Sequence, residues 1–146
     1  GVGGGPHVRI FSGVGQLVGQ FFAFNPLSHT GLAIAGADVY GDGTAEILVA
    51  PLSSPRPTVK VMRRDAGLLS EFVGPADAAW IQGISLAGGD LDGDGHGDVA
   101  VSAHGGPGTI AILSFQGKVV RQLTAHSASG YRGGARIGYL RAMVRP

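Results

Sequence analysis

A nine-residue acidic segment, DLDGDGHGD at residues 90–98, holds the densest set of metal-binding side chains in the sequence. Its four carboxylates occupy positions 1, 3, 5 and 9 of the segment, and Ca²⁺ takes six to eight oxygen ligands at about 2.3–2.6 Å. Gly95 allows a sharp turn between them, and the backbone carbonyl of His96 offers one more oxygen. We therefore predict a calcium site in this second acidic loop (residues 90–98), with the ligands Asp90, Asp92, Asp94, His96 and Asp98.

Two other interpretations of the second acidic loop fit the sequence less well. An EF-hand needs flanking helices and a bidentate glutamate at position 12, whereas Val101 stands there and the flanks have strand-like patterns. A plain Asp-Gly turn without metal would leave four carboxylates repelling one another within nine residues. Magnesium prefers fewer carboxylates and retains its waters, so calcium is the favoured ion.

A first acidic loop (residues 38–46) resembles the second but lacks one carboxylate. Tyr40 stands at its position 3, and the longer Glu46 at its position 9. Seven of the ten acidic residues of the chain lie in these two loops, so both are candidates for cation binding. We predict a weaker calcium site, with water in place of the missing ligand, at Asp38, Asp42, Thr44 and Glu46.

The acidic loops belong to an internal repeat of 51–52 residues. Val8, Val59 and Ile110 begin matching apolar segments at intervals of 51, and the acidic loops start 52 residues apart. Each full copy contains four short apolar runs bounded by Gly, Pro, Ser or Asp, which is typical of strands. Four strands in about 50 residues is the size of one β-propeller blade. The sequence thus predicts an all-β fold with blades of four antiparallel strands.

Three copies divide the chain into repeats of about 1–51, 52–103 and 104–146, the last of them degenerate and without an acidic loop. We treat residues 1–146 as a single propeller segment. Because a propeller closes with about four to eight blades, further blades are expected from the same parent chain or from other copies. The start at Gly1, without methionine or a signal-like segment, favours a piece of a longer protein.

The segment GISLAGGDLDGDGHGDVAV at residues 83–101 resembles the FG-GAP repeats of integrin α-head-like β-propellers. The segment GGGPHVRIF at residues 3–11 is similar to the opening strand of bacterial surface versions of this repeat. The resemblance implies a propeller with calcium in the hairpin loops of some blades. It also implies an extracellular or cell-surface location and a role in adhesion, glycan binding or scaffolding.

Composition excludes several other classes. The chain has no cysteine, which rules out disulfides, Fe–S clusters and thiol nucleophiles. A net charge of +1 gives no general attraction to nucleic acid, and no apolar run is long enough to span a bilayer. The five histidines lack zinc-site spacing, and no Gly-x-Ser-x-Gly elbow occurs.

We therefore expect a non-catalytic calcium-binding propeller segment that serves as an extracellular scaffold or adhesion module with a protein or glycan ligand. One alternative is a lectin-like propeller that uses Phe21, Phe22, Phe24 and Trp80 as an aromatic platform, although these side chains equally suit packing between blades. A second alternative is a polysaccharide lyase, for which His96 and His104 are the candidate bases.

Overall fold

The computed structural model describes residues 3–54, 57–74, 83–126 and 130–139. Trp80 and residues 140–146, the end of the third predicted repeat, lie outside these ranges. The described residues form strands and turns without a helix. The described residues therefore include no helix long and apolar enough to cross a membrane. The ten strands are β1 (His7–Phe11), β2 (Leu17–Phe22), β3 (Leu32–Ala37), β4 (Glu46–Pro51), β5 (Thr58–Met62), β6 (Leu68–Val73), β7 (Ile84–Gly89), β8 (Asp98–Ala103), β9 (Thr109–Leu113) and β10 (Val119–Thr124).

The strands form three antiparallel sheets. The first sheet contains β1 and β2, the second contains β3-β4-β5-β6 in that order, and the third contains β7-β8-β9-β10. Within each sheet, strands that are consecutive in sequence are paired, as short hairpin connections require. The four-stranded sheets confirm the predicted all-β fold with propeller-type blades.

Burial decreases from the inner strands of the third sheet to its outer edge. All six residues of β8 are buried, whereas all six of β10 are exposed. A strand buried on both faces needs a nearly continuous apolar run, and the sequence of β8, DVAVSA, supplies one after its first residue. Asp98, the acidic first residue of β8, is therefore buried because the strand that it begins is buried.

The second sheet lies between the other two. One core cluster joins it to the third sheet through fully buried side chains that include Leu48, Val61 and Val99. Another cluster joins it to the first sheet. The second and third sheets approach closely because Gly88 has no side chain: a Cβ there would meet the carbonyl oxygen of Gly36. Stacked sheets with apolar faces between them are the arrangement of successive propeller blades.

The boundaries between the hydrogen-bonded sheets do not coincide with the boundaries between the predicted repeats. The second sheet runs from β3 to β6, so it joins the last two strands of the first predicted repeat to the first two of the second. The third sheet is related in the same way to the next pair of repeats. The period of 51–52 residues is compatible with either phase, because only the pairing of β4 with β5 and of β8 with β9 places the boundary.

Residues 130–139 repeat the backbone contacts of the segment that leads into β3. Near the first sheet, Gly3 donates to the carbonyl of His29 and Gly31 donates to Gly4. In the third repeat, the amide of Gly106 donates to the carbonyl of Arg132, and the amide of Gly134 donates to the carbonyl of Gly106. Each of these donors lies 103 residues after its counterpart near the first sheet. The amide of Ala135 likewise donates to the carbonyl of Ala103 at 2.9 Å. This bond matches the one from the amide of Ile84 to the carbonyl of Leu52, in which both residues stand 51 positions earlier. Residues 130–139 thus take the path of an innermost strand of a further blade.

Candidate metal centre

Both acidic loops connect the two inner strands of a four-stranded sheet. The first acidic loop joins β3 to β4, and the second joins β7 to β8. In each loop, position 1 directly follows a strand, and position 9 is the first residue of the next strand. Position 9 is paired across the ladder, Glu46 with Ala37 and Asp98 with Gly89. This hairpin geometry brings the two ends of each loop together.

Backbone amides hold the carboxylates of the second acidic loop. Asp90 accepts hydrogen bonds from the amides of Gly93 at 2.7 Å and Gly95 at 3.1 Å. Asp98 accepts one from the amide of Leu91 at 3.1 Å. Gly95 has a φ of 89°, a left-handed conformation that glycine adopts without steric strain. The local turn therefore points carboxylate oxygens from both ends of the loop toward its interior.

Three carboxylates of the second acidic loop form one group. Oxygens of Asp90, Asp92 and Asp98 lie within 4.8 Å of one another. Asp98 is only 6% exposed, whereas the other two are exposed to solvent. In the described part of the chain, the ion pairs join Lys60 to Glu71 and Arg63 to Asp65. Within the described ranges, no lysine or arginine side chain is therefore paired with this group.

The environment of Asp98 opposes its ionisation. Burial raises the pKa of Asp98 above its ordinary value, and the negative charges of Asp92, Asp94 and Asp90 raise it further, while the hydrogen bond from Leu91 acts in the opposite direction. A divalent cation would reverse this balance, because it stabilises the charged form of each carboxylate that it contacts.

The predicted ligands Asp94 and His96 are arranged differently from the other three. The carboxylate of Asp94 accepts a hydrogen bond from the amide of His96 at 2.8 Å, and Asp94 is outside the three-carboxylate group. The structure therefore brings together Asp90, Asp92 and Asp98, and uses Asp94 to fix the turn that carries His96.

The first acidic loop has the same backbone design with a different set of side chains. Asp38 accepts from the amides of Asp42 at 3.0 Å and Gly43 at 2.7 Å, and Glu46 accepts from Val39 at 3.1 Å. As in the second loop, the carboxylate at position 5 accepts from the amide at position 7, that of Thr44. Among the described residues, no three acidic groups of this loop converge as those of the second loop do.

Tyr40 occupies the place of the missing carboxylate in the first acidic loop, and its ring makes an aromatic contact instead. The ring lies edge-on to Phe115, with centroids 5.4 Å apart. Phe115 belongs to the turn between β9 and β10, so the contact reaches the third sheet. The first acidic loop is thus joined to the neighbouring sheet by aromatic packing at the position where the second loop carries Asp92.

The two acidic loops also contact each other directly. The amide of Gly97 donates to the carbonyl of Asp38 at 2.6 Å, and a Cβ on Gly97 would lie 2.7 Å from that oxygen. A cleft of about 460 Å³ lies between the loops, and Asp38, Asp90 and Tyr139 line it. Sequence reasoning missed this contact, because nothing in the local pattern shows which glycine faces a neighbouring blade.

A second polar pair, also missed from the sequence, joins Ser85 to His104. The Ser85 hydroxyl and the His104 Nε2 are 2.7 Å apart. Burial, followed by the positive charge of Arg136, lowers the pKa of His104. A serine nucleophile needs a base whose protonated form is stabilised, usually by a carboxylate. Arg136 has the opposite effect on the imidazolium.

The aromatic residues considered for a glycan platform are separated by their burial. Phe21 is buried in the cluster between the first and second sheets, and Phe24 is half-buried against it. Phe22 is exposed and stacks on His7 at 4.8 Å between ring centroids. Phe21 and Phe24 therefore pack between blades, as the simpler interpretation of the sequence had it.

Comparison with protein families gives a match to the second acidic loop and its strands. Residues 82–119 match the model of the FG-GAP repeat. This chain carries an FG-GAP repeat. The matched span of the FG-GAP repeat contains the three-carboxylate group, β8 and β9, and the family resemblance predicted from residues 83–101 is confirmed. Comparison with curated proteins gives no match.

Proposed function

We propose that the second acidic loop binds Ca²⁺ and that this FG-GAP chain is a non-catalytic propeller segment, stabilised by calcium, that serves as an interaction scaffold outside the cell. The observation that carries the proposal is the convergence of Asp90, Asp92 and Asp98 oxygens within 4.8 Å, with no lysine or arginine paired to them in the described residues. Clustered carboxylates without a cation repel one another, so they favour a bound divalent ion.

The donor set favours calcium over other divalent ions. Three carboxylates from a glycine-containing loop provide hard oxygen ligands with flexible spacing, which suits Ca²⁺ better than the strict octahedron of Mg²⁺. Zinc sites rely mainly on histidine nitrogen and cysteine sulfur, whereas the three converging side chains here are all carboxylates. Asp90, Asp92 and Asp98 would hold the ion, and the carbonyl of His96 or water would complete its coordination.

The proposed role of the ion is structural. Calcium would offset the repulsion within the loop and the cost of ionising buried Asp98, and so fix the connection between β7 and β8. Because Gly97 donates to the carbonyl of Asp38, the same loop holds the neighbouring blade. The ion would therefore stabilise both a hairpin and a contact between blades.

Calcium titration tests the proposal. We expect one saturable site by isothermal titration calorimetry and a melting temperature that falls when a chelator replaces calcium. Asp92→Asn is expected to weaken binding at least about 10-fold, which is about 1.4 kcal/mol. Asp65→Asn is the matched control, because Asp65 is an exposed acid in another hairpin turn and also accepts a hydrogen bond from a backbone amide. Equal affinities for the two variants would exclude the site.

The proposal of a non-catalytic role is supported by the surroundings of the Ser85–His104 pair. Among the described residues, the charged group that acts on His104 is Arg136. Its positive charge disfavours the protonated imidazole that forms when a histidine acts as the base for a serine nucleophile or in a lyase. Cleavage of a polyuronide by the purified chain, lost in a His104→Gln variant, would contradict this part of the proposal.

The extracellular location and the partner are further parts of the same proposal. Extracellular calcium modules bind with dissociation constants of about 10⁻⁴–10⁻³ M, so the affinity itself is informative. We expect the measured constant to lie in that range. The cleft between the loops offers Asp38, Asp90 and Tyr139 to a protein or glycan ligand, and binding arrays with and without calcium would identify its class.

A further inference from the structure

The turns that join the two outer strands of the four-stranded sheets differ in charge. In the second sheet this outer turn covers residues 63–67, between β5 and β6, and it contains Arg63 and Arg64. In the third sheet the outer turn covers residues 114–118, between β9 and β10. Ser114 stands 51 residues after Arg63, and neither it nor any of the next three residues is charged. The repeat therefore places a pair of arginines in one outer turn and a neutral segment at the same place in the other.

The two arginines of the second sheet border the first acidic loop. Arg63 directly follows the last paired residue of β5, so the register of β4 and β5 places it beside Glu46. Residues opposite each other on antiparallel strands have their side chains on the same face of the sheet. Arg63 and Arg64 also line a cavity of about 250 Å³ together with three of the four predicted ligands of that loop, Asp42, Thr44 and Glu46. Positive charge therefore lies next to the loop that lacks a carboxylate at position 3.

The positive charge of this outer turn is only partly cancelled within the turn. The Nε of Arg63 lies 3.5 Å from the carboxylate of Asp65, and both side chains are exposed. An exposed pair of this kind adds little stability by itself. With two arginines and one aspartate, the outer turn keeps a net charge of +1 beside the carboxylates of the first acidic loop. Because Coulomb attraction acts without direct contact, this charge offsets part of the repulsion within the loop.

The second acidic loop has a neutral residue at the corresponding place. Ser114 directly follows the last paired residue of β9, so the register of β8 and β9 places it beside Asp98. Lys118, the charged residue of this outer turn, stands at the position of Gly67, which is outside the lining of the cavity in the second sheet. The four carboxylates of the second acidic loop therefore have a hydroxyl beside them where the first acidic loop has a guanidinium.

We propose that the outer turn determines which acidic loop binds a divalent cation, because Arg63 and Arg64 give the first acidic loop a cation from the chain itself, whereas Ser114 leaves the second acidic loop to calcium. An arginine and a metal ion are alternative means of offsetting clustered carboxylates. A positive charge beside a loop also lowers its affinity for a second cation. For the second acidic loop this selectivity rests on the proposed calcium site, whereas the charge offset in the first acidic loop is independent of it.

Thermal melts in chelator test the charge offset in the first acidic loop. Arg63→Gln should lower the melting temperature by about 2–4 °C, because a neutral side chain of similar size no longer offsets the loop carboxylates. Arg63→Lys keeps the charge and should retain the wild-type value. Asp65→Asn is the matched control, since it breaks the pair with Arg63 but leaves the arginine charge in place. An unchanged melting temperature for Arg63→Gln, or an equal fall for Asp65→Asn, would overturn the offset.

Ser114→Arg transfers the positive charge to the second acidic loop. Ser114→Gln is its control of similar size, since the Ser114 hydroxyl oxygen is buried and a larger side chain strains the turn whatever its charge. Compared with the glutamine variant, the arginine variant should melt about 2–4 °C higher in chelator and bind calcium about 10-fold more weakly by calorimetry. High salt should reduce both differences. Equal calcium affinities of the two variants at low salt would contradict the proposed selectivity.

The wild-type chain separates this selectivity from the proposed function. A wild-type chain that binds no calcium contradicts the proposed function, while the melts of the Arg63 variants still decide the charge offset. A double variant tests the first acidic loop directly, because Tyr40→Asp restores its missing carboxylate and Arg63→Ser installs the serine that the other two repeats carry at Ser12 and Ser114. The double variant should bind the added calcium about 10-fold more tightly than Tyr40→Asp alone. No gain in affinity would overturn the role of Arg63.

Discussion

Replacing Asp98 by asparagine should have opposite effects on the metal-free and the calcium-loaded protein. The side chain is buried, and its carboxylate lies within 4.8 Å of those of Asp90 and Asp92. Asparagine keeps an oxygen that can accept the hydrogen bond from Leu91 but removes the charge. Without calcium the variant loses the repulsion from Asp90, Asp92 and Asp94, and with calcium it loses a ligand.

The magnitudes follow from distance and mass action. Two unit charges 4.8 Å apart repel by roughly 0.9 kcal/mol in a water-like dielectric and roughly 3.5 kcal/mol at an effective dielectric of 20. Because Asp90 and Asp92 are exposed, the lower value applies, and the metal-free Asp98→Asn variant should gain on the order of 1 kcal/mol. Calcium at 100 times its dissociation constant should stabilise the wild-type chain by about 2.7 kcal/mol, and the variant by about 1.4 kcal/mol if its affinity falls 10-fold.

Thermal melts in calcium and in chelator measure both effects. For a chain of this size the calcium increment corresponds to a shift of about 5–11 °C for the wild type and about 3–6 °C for the variant. Glu46→Gln is the matched control, because Glu46 is equally buried at 6% exposure and also accepts a hydrogen bond from the backbone. That variant should retain most of the increment. An Asp98→Asn variant with an undiminished calcium shift, or with a lower melting temperature in chelator, would refute the reasoning.

Three further predictions concern the neighbouring contacts. Gly97→Ala should destabilise the fold by about 1–3 kcal/mol in denaturant titrations, because its Cβ would lie 2.7 Å from the carbonyl oxygen of Asp38, whereas Gly13→Ala meets open space and should change little. Tyr40→Asp should add a second calcium equivalent by calorimetry, at a cost of about 0.5–1.5 kcal/mol from the lost aromatic contact; an unchanged stoichiometry would exclude the first acidic loop as a latent site. Because the pKa of His104 is lowered, its contribution to stability is complete above pH 6.5 and is lost as pH falls through its folded pKa; melts between pH 7.5 and 5 should show this decline, and a His104→Gln variant should lack it.

In the metal-free chain, the contribution of Asp98 to stability should depend on pH in the opposite sense to that of His104, and at lower pH. Its pKa is raised, so its contribution to stability is complete below pH 3.8 and is lost as pH rises through the folded pKa. The ionised form that destabilises the metal-free chain is the form that binds calcium. Calcium affinity should therefore rise across that window, with release of a proton on binding.

The sequence by itself determined the features that depend on local chemistry. Alternating and continuous apolar runs bounded by glycine and aspartate predicted the strands, and the spacing of carboxylates predicted that the second acidic loop is the stronger site candidate. Both acidic loops connect two strands, as expected, because a hairpin brings positions 1 and 9 together irrespective of what surrounds it. The FG-GAP resemblance followed from the same short segment.

The tertiary structure alone decided what depends on contacts between distant residues. Hydrogen bonding between β4 and β5, not the sequence period, placed the boundary between sheets, because a repeat has the same period in any phase. The approach of Gly97 to the carbonyl of Asp38 depends on how the two loops pack. The two loops share their backbone hydrogen bonds, and the tertiary structure decides what each loop contacts, since Tyr40 of the first packs on Phe115 and Gly97 of the second donates to Asp38.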